Sequence, residues 1–376
     1  MKIGILTQPL ISNYGGLLQA WALQTTLERL GHEVIILNRV YGSDRSPLIE
    51  FMAYIKRVIF SVISNNRNSS LTEDDLSYIR QHMARFIAKY HHKSPDLHNS
   101  RELKTFARKN RIEAFVVGSD QCWRPWYSPN ILNYFLDFAE GWNVKRLSYA
   151  ASFGVDQWEF SSTQTEKCAV LAKLFDAISV REESGVELCN KYLGVDAQLV
   201  LDPTLLLRKE EYVQLVKNEK EPQVGGELFC YVLDMDKSKS EFIDRVAAEM
   251  GFKTCFCMPR LKRTYENYVK DKDSCVFPPV TKWIRSFMDA EIVVADSFHG
   301  TVFSIIFNKP FWVLGNSVRG MARFYSLLKL FGLEDRLITP DRLVNLDISQ
   351  PIDWALVNKK HEMLREQSLR FLMTNL

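Results

Sequence analysis

The chain has 376 residues, 46% of them hydrophobic and 25% charged, with a formal net charge of +3. A chain this long exceeds what one hydrophobic core usually covers, so two domains are expected, and the composition is that of a soluble globular protein. The small charge on scattered lysines and arginines argues against a nucleic-acid partner, and no uninterrupted apolar run is long enough to span a bilayer.

The opening Met-Lys-Ile-Gly-Ile-Leu-Thr reads as a first strand, because it lacks the apolar core and small-residue cleavage site of a signal peptide. Asn13-Tyr14-Gly15-Gly16 is a turn, Leu17 to Leu30 carries helical periodicity, Gly31 sits at a C-cap, and His32 to Asn38 makes the next strand. The glycine-bearing loop between strand and helix suits an anion such as phosphate or carboxylate, with Asn13, Gly15 and Gly16 as its candidates. It is not the dinucleotide fingerprint, since G-x-G-x-x-G is absent. Phe51 to Ile63 is an amphipathic helix carrying Lys56 and Arg57; it packs on its domain or rests on a membrane surface. A helix follows from Thr72 to Tyr90. His91, His92 and His98 lie in the next connection with no ligand at metal-binding spacing, and read as solvated loop residues.

Ala114 to Val117 is a buried strand that breaks at Gly118-Ser119-Asp120-Gln121-Cys122-Trp123. Similar edges follow at Leu147 to Gly154, at Ala177 to Glu182 with Arg181 emerging from the strand, and at Val200-Leu201-Asp202-Pro203-Thr204. The second half begins after the polar stretch 217–226. It offers strands at Leu228 to Leu233 and Phe252 to Met258, and a helix at Ser238 to Met250. Glu291 to Ala295 is a short β-branched run that ends in Asp296-Ser297-Phe298-His299-Gly300 and passes at once into an apolar helical segment. A buried parallel strand delivers polar groups to its carboxyl edge in this way, where α/β proteins place ligands. Phe311 to Leu314 is another strand, and Trp354 to Met373 a long amphipathic helix. The organisation is therefore α/β in two successive halves, 1–205 and 206–345, with a helix over 346–376 that packs back on the first half.

Seven cysteines, odd in number and without paired metal spacing, read as reduced thiols of a cytoplasmic protein, and no metal site is expected. The strand ends supply Asp120, Arg181, Asp296 and His299, and the region after Gly315 supplies Arg319 and Arg323. Acids and bases gathered at strand edges suit an enzyme. Each also has a structural reading: Asp120 and Asp296 as turn caps, Arg181 as an ion pair with a neighbouring glutamate, Arg319 and Arg323 as solvated helix charges. Trp123, Trp126 and Tyr127 are placed to stack on a sugar ring or to form an aromatic cluster.

Taken together, Gly118–Trp123, Ser148–Gly154, Ser179–Glu182, Asp202-Pro203-Thr204 and Asp296–Gly300 resemble, in order, the motifs of the polysaccharide pyruvyl transferases. The resemblance implies two Rossmann-like domains facing a cleft, as in the GT-B glycosyltransferases. It implies transfer of the pyruvyl group of phosphoenolpyruvate to two sugar hydroxyls, forming a cyclic ketal and phosphate, with no cofactor beyond that donor substrate. The family's acidic residue falls on Asp120, and its donor-binding arginine and histidine on Arg181 and His299, with Ser297 and Gly300 beside the donor. Trp123, Trp126 and Tyr127 become acceptor candidates. Some members carry Arg-Leu before the histidine where this chain has Ser297-Phe298, so Arg319 and Arg323 are the candidates to replace that cation. The implied setting is surface polysaccharide synthesis, capsule or exopolysaccharide, in the cytoplasm; a lipid-linked acceptor and a peripheral contact with the inner face of the membrane are compatible with it. A nucleotide-sugar glycosyltransferase and a non-catalytic glycan-binding relative remain the alternatives.

Overall fold

Eleven short strands divide between two wholly parallel sheets in a computed structural model, which describes residues 1–42, 70–315, 320–339 and 347–376. The amphipathic stretch Phe51 to Ile63 and Arg319 lie outside the described residues. In the first sheet β1 (Lys2–Leu6), β2 (Glu33–Ile36), β3 (Ala114–Val117), β4 (Lys145–Ala151), β5 (Ala177–Val180) and β6 (Gln198–Leu199) run in the order β2-β1-β3-β4-β5-β6. In the second, β7 (Leu228–Tyr231), β8 (Thr254–Phe256), β9 (Ile292–Ala295), β10 (Phe311–Leu314) and β11 (Leu337–Ile338) run β11-β10-β9-β7-β8. The central strands Ala-Phe-Val-Val, Leu-Phe-Cys-Tyr, Ile-Val-Val-Ala and Phe-Trp-Val-Leu are buried at every position. Helices therefore cover both faces of each sheet, which is why these runs are continuous rather than alternating.

The halves are joined by packing as well as by chain. Tyr14, at the start of the Tyr14–Arg29 helix, stacks on Trp283 of the Val280–Asp289 helix with ring centroids 5.6 Å apart and 6° between planes. Its hydroxyl donates to the carbonyl of Pro278 at 2.8 Å. A stacked aromatic pair of this kind adds about 0.5–1.5 kcal/mol to the area it buries. The helix expected over Thr72 to Tyr90 is two, Glu73–Ile79 and Gln81–Tyr90, because the Ile79 carbonyl accepts from Phe277 N at 3.0 Å instead of continuing the helical ladder. The last helix, Trp354–Asn375, lies against the turn that follows β6. There Ser368 Oγ accepts from Leu201 N at 3.0 Å, and Arg365 Nε and His361 Nε2 donate to Leu206 O and Leu205 O, each at 2.7 Å.

His91 is not solvated. Its ring is buried against Phe86, and Nε2 lies 2.9 Å from the Leu17 carbonyl. His92 remains at the surface beside Glu28. All seven cysteines are free and buried. Among the described residues no helix is long and apolar enough to cross a membrane.

Candidate active site

The carboxyl ends of the two sheets face one cleft of about 540 Å³, within the size range of small-molecule sites. Asn13, Gly15, Asp120, Gln121 and Tyr127 reach it from the first half; Tyr231, Ser297, Phe298, His299 and Arg323 reach it from the second.

Asp120 stands where β3 leaves the sheet. A Cβ on Gly118 would lie 2.1 Å from the Tyr149 carbonyl, so only glycine lets the chain turn there, at φ +127°. Asp120 itself adopts φ 68° and still pairs with Ala151 in a parallel bridge, which fixes the direction of its carboxylate. Asparagine and aspartate tolerate this conformation better than most residues.

Arg181 follows β5 and is fully buried. Its Nη1 donates to Asp202 Oδ2 at 2.7 Å, Nη2 reaches Asp120 Oδ1 at 3.4 Å, and Nε lies 4.0 Å from Glu182 Oε2. The guanidinium rests 4.2 Å from the centre of the Phe298 ring. It is occupied by carboxylates behind the cleft wall and does not line the cleft. The donor-binding role expected for Arg181 is corrected to that of a buried counter-ion: the strand end that carries it points between two acids, not into the opening. Burial alone would weaken its proton affinity, but Asp202, Asp120 and Glu182 raise it above the ordinary arginine value.

Asp202, just after β6, is the junction of the site. Oδ1 accepts from Thr204 N at 3.0 Å and from Thr204 Oγ1 at 2.7 Å. Oδ2 accepts from Arg181 and from Ser119 Oγ at 3.2 Å, and lies 3.6 Å from Nε2 of His299. Burial would push this carboxyl up, yet His299 and Arg181 together hold it far below the usual carboxylate range. Sequence reasoning grouped Asp202 with a motif but did not place it in the site. Glu182 was missed as well: its Oε1 accepts from Ser152 Oγ and from the amides of Phe153 and Gly154, pinning the loop after β4.

His299 is the second residue of the Phe298–Ile306 helix, and its ring closes on Gly15 across the cleft. Ser297 caps that helix by accepting from Gly300 N at 3.0 Å, so this amide is committed internally even though Ser297 borders the cleft. Gly300 serves packing: a Cβ there would stand 2.8 Å from Ala295 Cβ. Asp296 turns into its own half, accepting from Leu233 N, Asp234 N and Lys239 Nζ at 2.7, 3.1 and 2.8 Å, the structural role open to it.

Arg323, in the Ala322–Phe331 helix, is the cleft-lining arginine among the described residues. Burial and the like charge of Arg181 lower it to about 10, against the pull of Asp120 and Glu182. Phe298 therefore lies between two guanidiniums, with Arg323 6.0 Å from its centre. Asn13 borders the cleft without capping its own helix, and Gly16 does not reach it.

The three aromatics expected on the acceptor side separate. Trp123 is fully buried, stacked on Phe135 at 4.9 Å with its indole N–H donating to Tyr134 O at 2.9 Å; it is a core residue and not a sugar platform. Trp126 is 77% exposed, and Tyr127 reaches the cleft with the Arg124 guanidinium 4.5 Å from its ring centre. No cluster of three or more histidine, cysteine or acidic side chains able to hold a metal occurs among the described residues.

Solved structures with the same arrangement include UDP-GlcNAc 2-epimerase from Methanocaldococcus jannaschii, at TM-score 0.51 and 11% identity over 98% of this chain and 99% of that one. Arabidopsis thaliana UGT89C1 complexed with UDP-L-rhamnose aligns at TM-score 0.52 and 9% identity, over 99% and 98%. At such identities the likeness concerns the fold, which is GT-B-like: two Rossmann-like halves facing a cleft. No curated protein sequence matches the chain significantly. The family model described as polysaccharide pyruvyl transferase matches residues 13–318, a span that runs from the Asn13 loop through His299, and the chain belongs to that family.

Proposed function

We propose that this protein transfers the pyruvyl group of phosphoenolpyruvate to two hydroxyls of a sugar, forming a pyruvate ketal during synthesis of a surface polysaccharide, capsule or exopolysaccharide, in the cytoplasm. The observation that supports this reading best is the convergence of Asp120 and His299, from opposite halves, on one cleft above the buried Arg181–Asp202 pair. Phosphoenolpyruvate brings a phosphate and a carboxylate, which call for cationic and N–H donors; His299 and Arg323 face the cleft to meet them.

The reaction requires a proton on the methylene carbon, attack of one hydroxyl at the neighbouring carbon, loss of phosphate, and attack of the second hydroxyl at the same carbon. One hydroxyl proton balances the new methyl group and the other leaves with phosphate. Asp120 is the acid–base group in this scheme, since it is the carboxylate that borders the cleft beside the acceptor-side Tyr127. His299 and Arg323 hold the donor and offset charge on the departing phosphate. Trp126 and Tyr127 supply flat faces for the acceptor sugar, whose lipid-linked form would bring the enzyme to the inner face of the membrane.

The deciding experiment is phosphate release from phosphoenolpyruvate in the presence of galactosides, mannosides and their lipid-linked forms, with the ketal identified by mass spectrometry. Acceptor-dependent phosphate release supports the reading. Release of a nucleoside diphosphate from a nucleotide sugar would replace it with glycosyl transfer, and glycan binding with no turnover of any donor would make the protein a binding relative.

A further inference from the structure

We infer that Asp202 is the positioning residue of this site: one carboxylate that orients His299 of the second half and Arg181 of the first, and so couples the two halves in the geometry that the proposed transfer uses. The inference rests on the functional reading above. Its basis is the way the carboxylate is shared and braced.

Oδ2 faces both cations, Arg181 Nη1 at 2.7 Å and His299 Nε2 at 3.6 Å, while Oδ1 is fixed by Thr204. Among the described residues His299 Nε2 has no hydrogen-bond partner within ordinary distance, and Asp202 Oδ2 is the carboxylate oxygen paired with it. A contact of 3.6 Å shortens to a hydrogen bond with a few tenths of an ångström of movement, as catalytic contacts do when substrate binds. On its other side the imidazole is stopped by Gly15, so the ring has room in one direction, toward the carboxylate.

The turn that carries Asp202 is held on every side. Leu201 O accepts from Tyr149 OH at 3.0 Å, Leu201 N donates to Ser368, Thr204 O accepts from Tyr212 OH at 2.8 Å, and Leu205 O and Leu206 O are taken by the last helix. A carboxylate fixed this firmly sets the direction of its partners and does not follow them. Arg181, drawn to Asp202, in turn places its Nη2 beside Asp120. Through Asp202 the two groups that face the substrate from opposite halves share one reference point.

The test is Asp202→Asn, which keeps the shape and the Oδ1 acceptor for Thr204 but deletes the charge. The expected result is a fall in kcat for phosphate release of about 100-fold per folded active site, the scale of a misdirected proton-transfer group, with KM for phosphoenolpyruvate changed less than about threefold. A merely structural role would lower the melting temperature and the fraction of active sites while leaving kcat per folded site unchanged, and that outcome overturns the inference. The imidazole ¹⁵N spectrum, with His299 assigned through His299→Gln, gives a readout independent of turnover. The Nε2 resonance of His299 should move in Asp202→Asn; an unmoved resonance also overturns the inference. If Asp202→Asn does not fold, Thr204→Val loosens the same carboxylate, and the same spectrum decides. Absence of phosphate release by the wild-type protein would defeat the functional reading alone, since the spectrum still tests the Asp202–His299 contact.

Discussion

Gly15 and His299 meet across the cleft so closely that a methyl group on Gly15 would stand 2.1 Å from both Cγ and Nδ1 of the imidazole. Neither residue is near the other in sequence, and each belongs to a different sheet's carboxyl edge. The glycine is thus a requirement of the closed cleft and not of the helix it begins, where glycine is the weaker choice.

The substitution Gly15→Ala separates these two demands. Alanine favours the helix by up to about 1 kcal/mol, so the melting temperature should fall little or not at all. His299 must move or the halves must part, and a displacement near 1 Å costs about 100-fold in rate. Turnover that collapses while thermal stability holds is the expected pair of results. Unchanged turnover would mean that the ring does not need its present position.

Arg181 carries the largest structural consequence. Replacing it with methionine fills much the same volume but leaves Asp120 and Asp202 buried without their cation. Breaking such a pair costs about 3–5 kcal/mol, because an uncompensated charge remains in the interior. Denaturant unfolding should register that loss, and Arg181→Lys should recover part of it through the Asp202 contact alone. A methionine variant as stable as the parent would refute the counter-ion role.

How much of this was legible beforehand follows from what each signal depends on. The strand edges announced themselves, because an apolar run ending in Gly-Ser-Asp or Asp-Ser-Phe-His needs only neighbours in sequence to be recognised. Asp202 was visible as an acid before proline, but its role depends on meeting Arg181 and His299, the latter 97 positions away, and local pattern carries no such distance. Trp123 and Trp126 look alike in sequence; the stacking partner Phe135 buries one and leaves the other in solvent. Arg181 emerges from an apolar strand whether it serves a ligand or an ion pair, so its position could not distinguish them. His91 looked solvated because its connection is polar, and only the packing of Leu17 and Phe86 around it shows otherwise.

Asp120 and Arg323 should fail in different ways. Asp120→Asn removes the acid–base group and should lower kcat by about 10²–10⁴-fold, while phosphoenolpyruvate binding measured by calorimetry survives. Arg323→Gln removes a cation from the donor wall and should raise KM for phosphoenolpyruvate by about tenfold or more, with a smaller effect on kcat. Full turnover by the asparagine variant would end the acid–base assignment, and donor affinity unaffected by Arg323→Gln would end the other.

The last prediction concerns acid sensitivity and comes from the buried His91. Its Nε2 donates to Leu17 O, and Nδ1 is buried without a partner, so a second ring proton would enter a place with no acceptor. Burial lowers this histidine to about 4, well below its ordinary value. Between about pH 6.5 and 4 the unfolded chain therefore binds a proton that the folded chain refuses, and stability must fall as pH falls through that window. The full effect is about 3 kcal/mol, complete near pH 4. Leu17 lies in the first turns of the helix that presents Gly15 to His299, so the loss begins beneath the site. His91→Gln preserves an N–H donor for Leu17 and cannot titrate. Its melting temperature should decline less steeply than the parent's from pH 6.5 to 4, and parallel curves for the two proteins would show that His91 does not set this dependence.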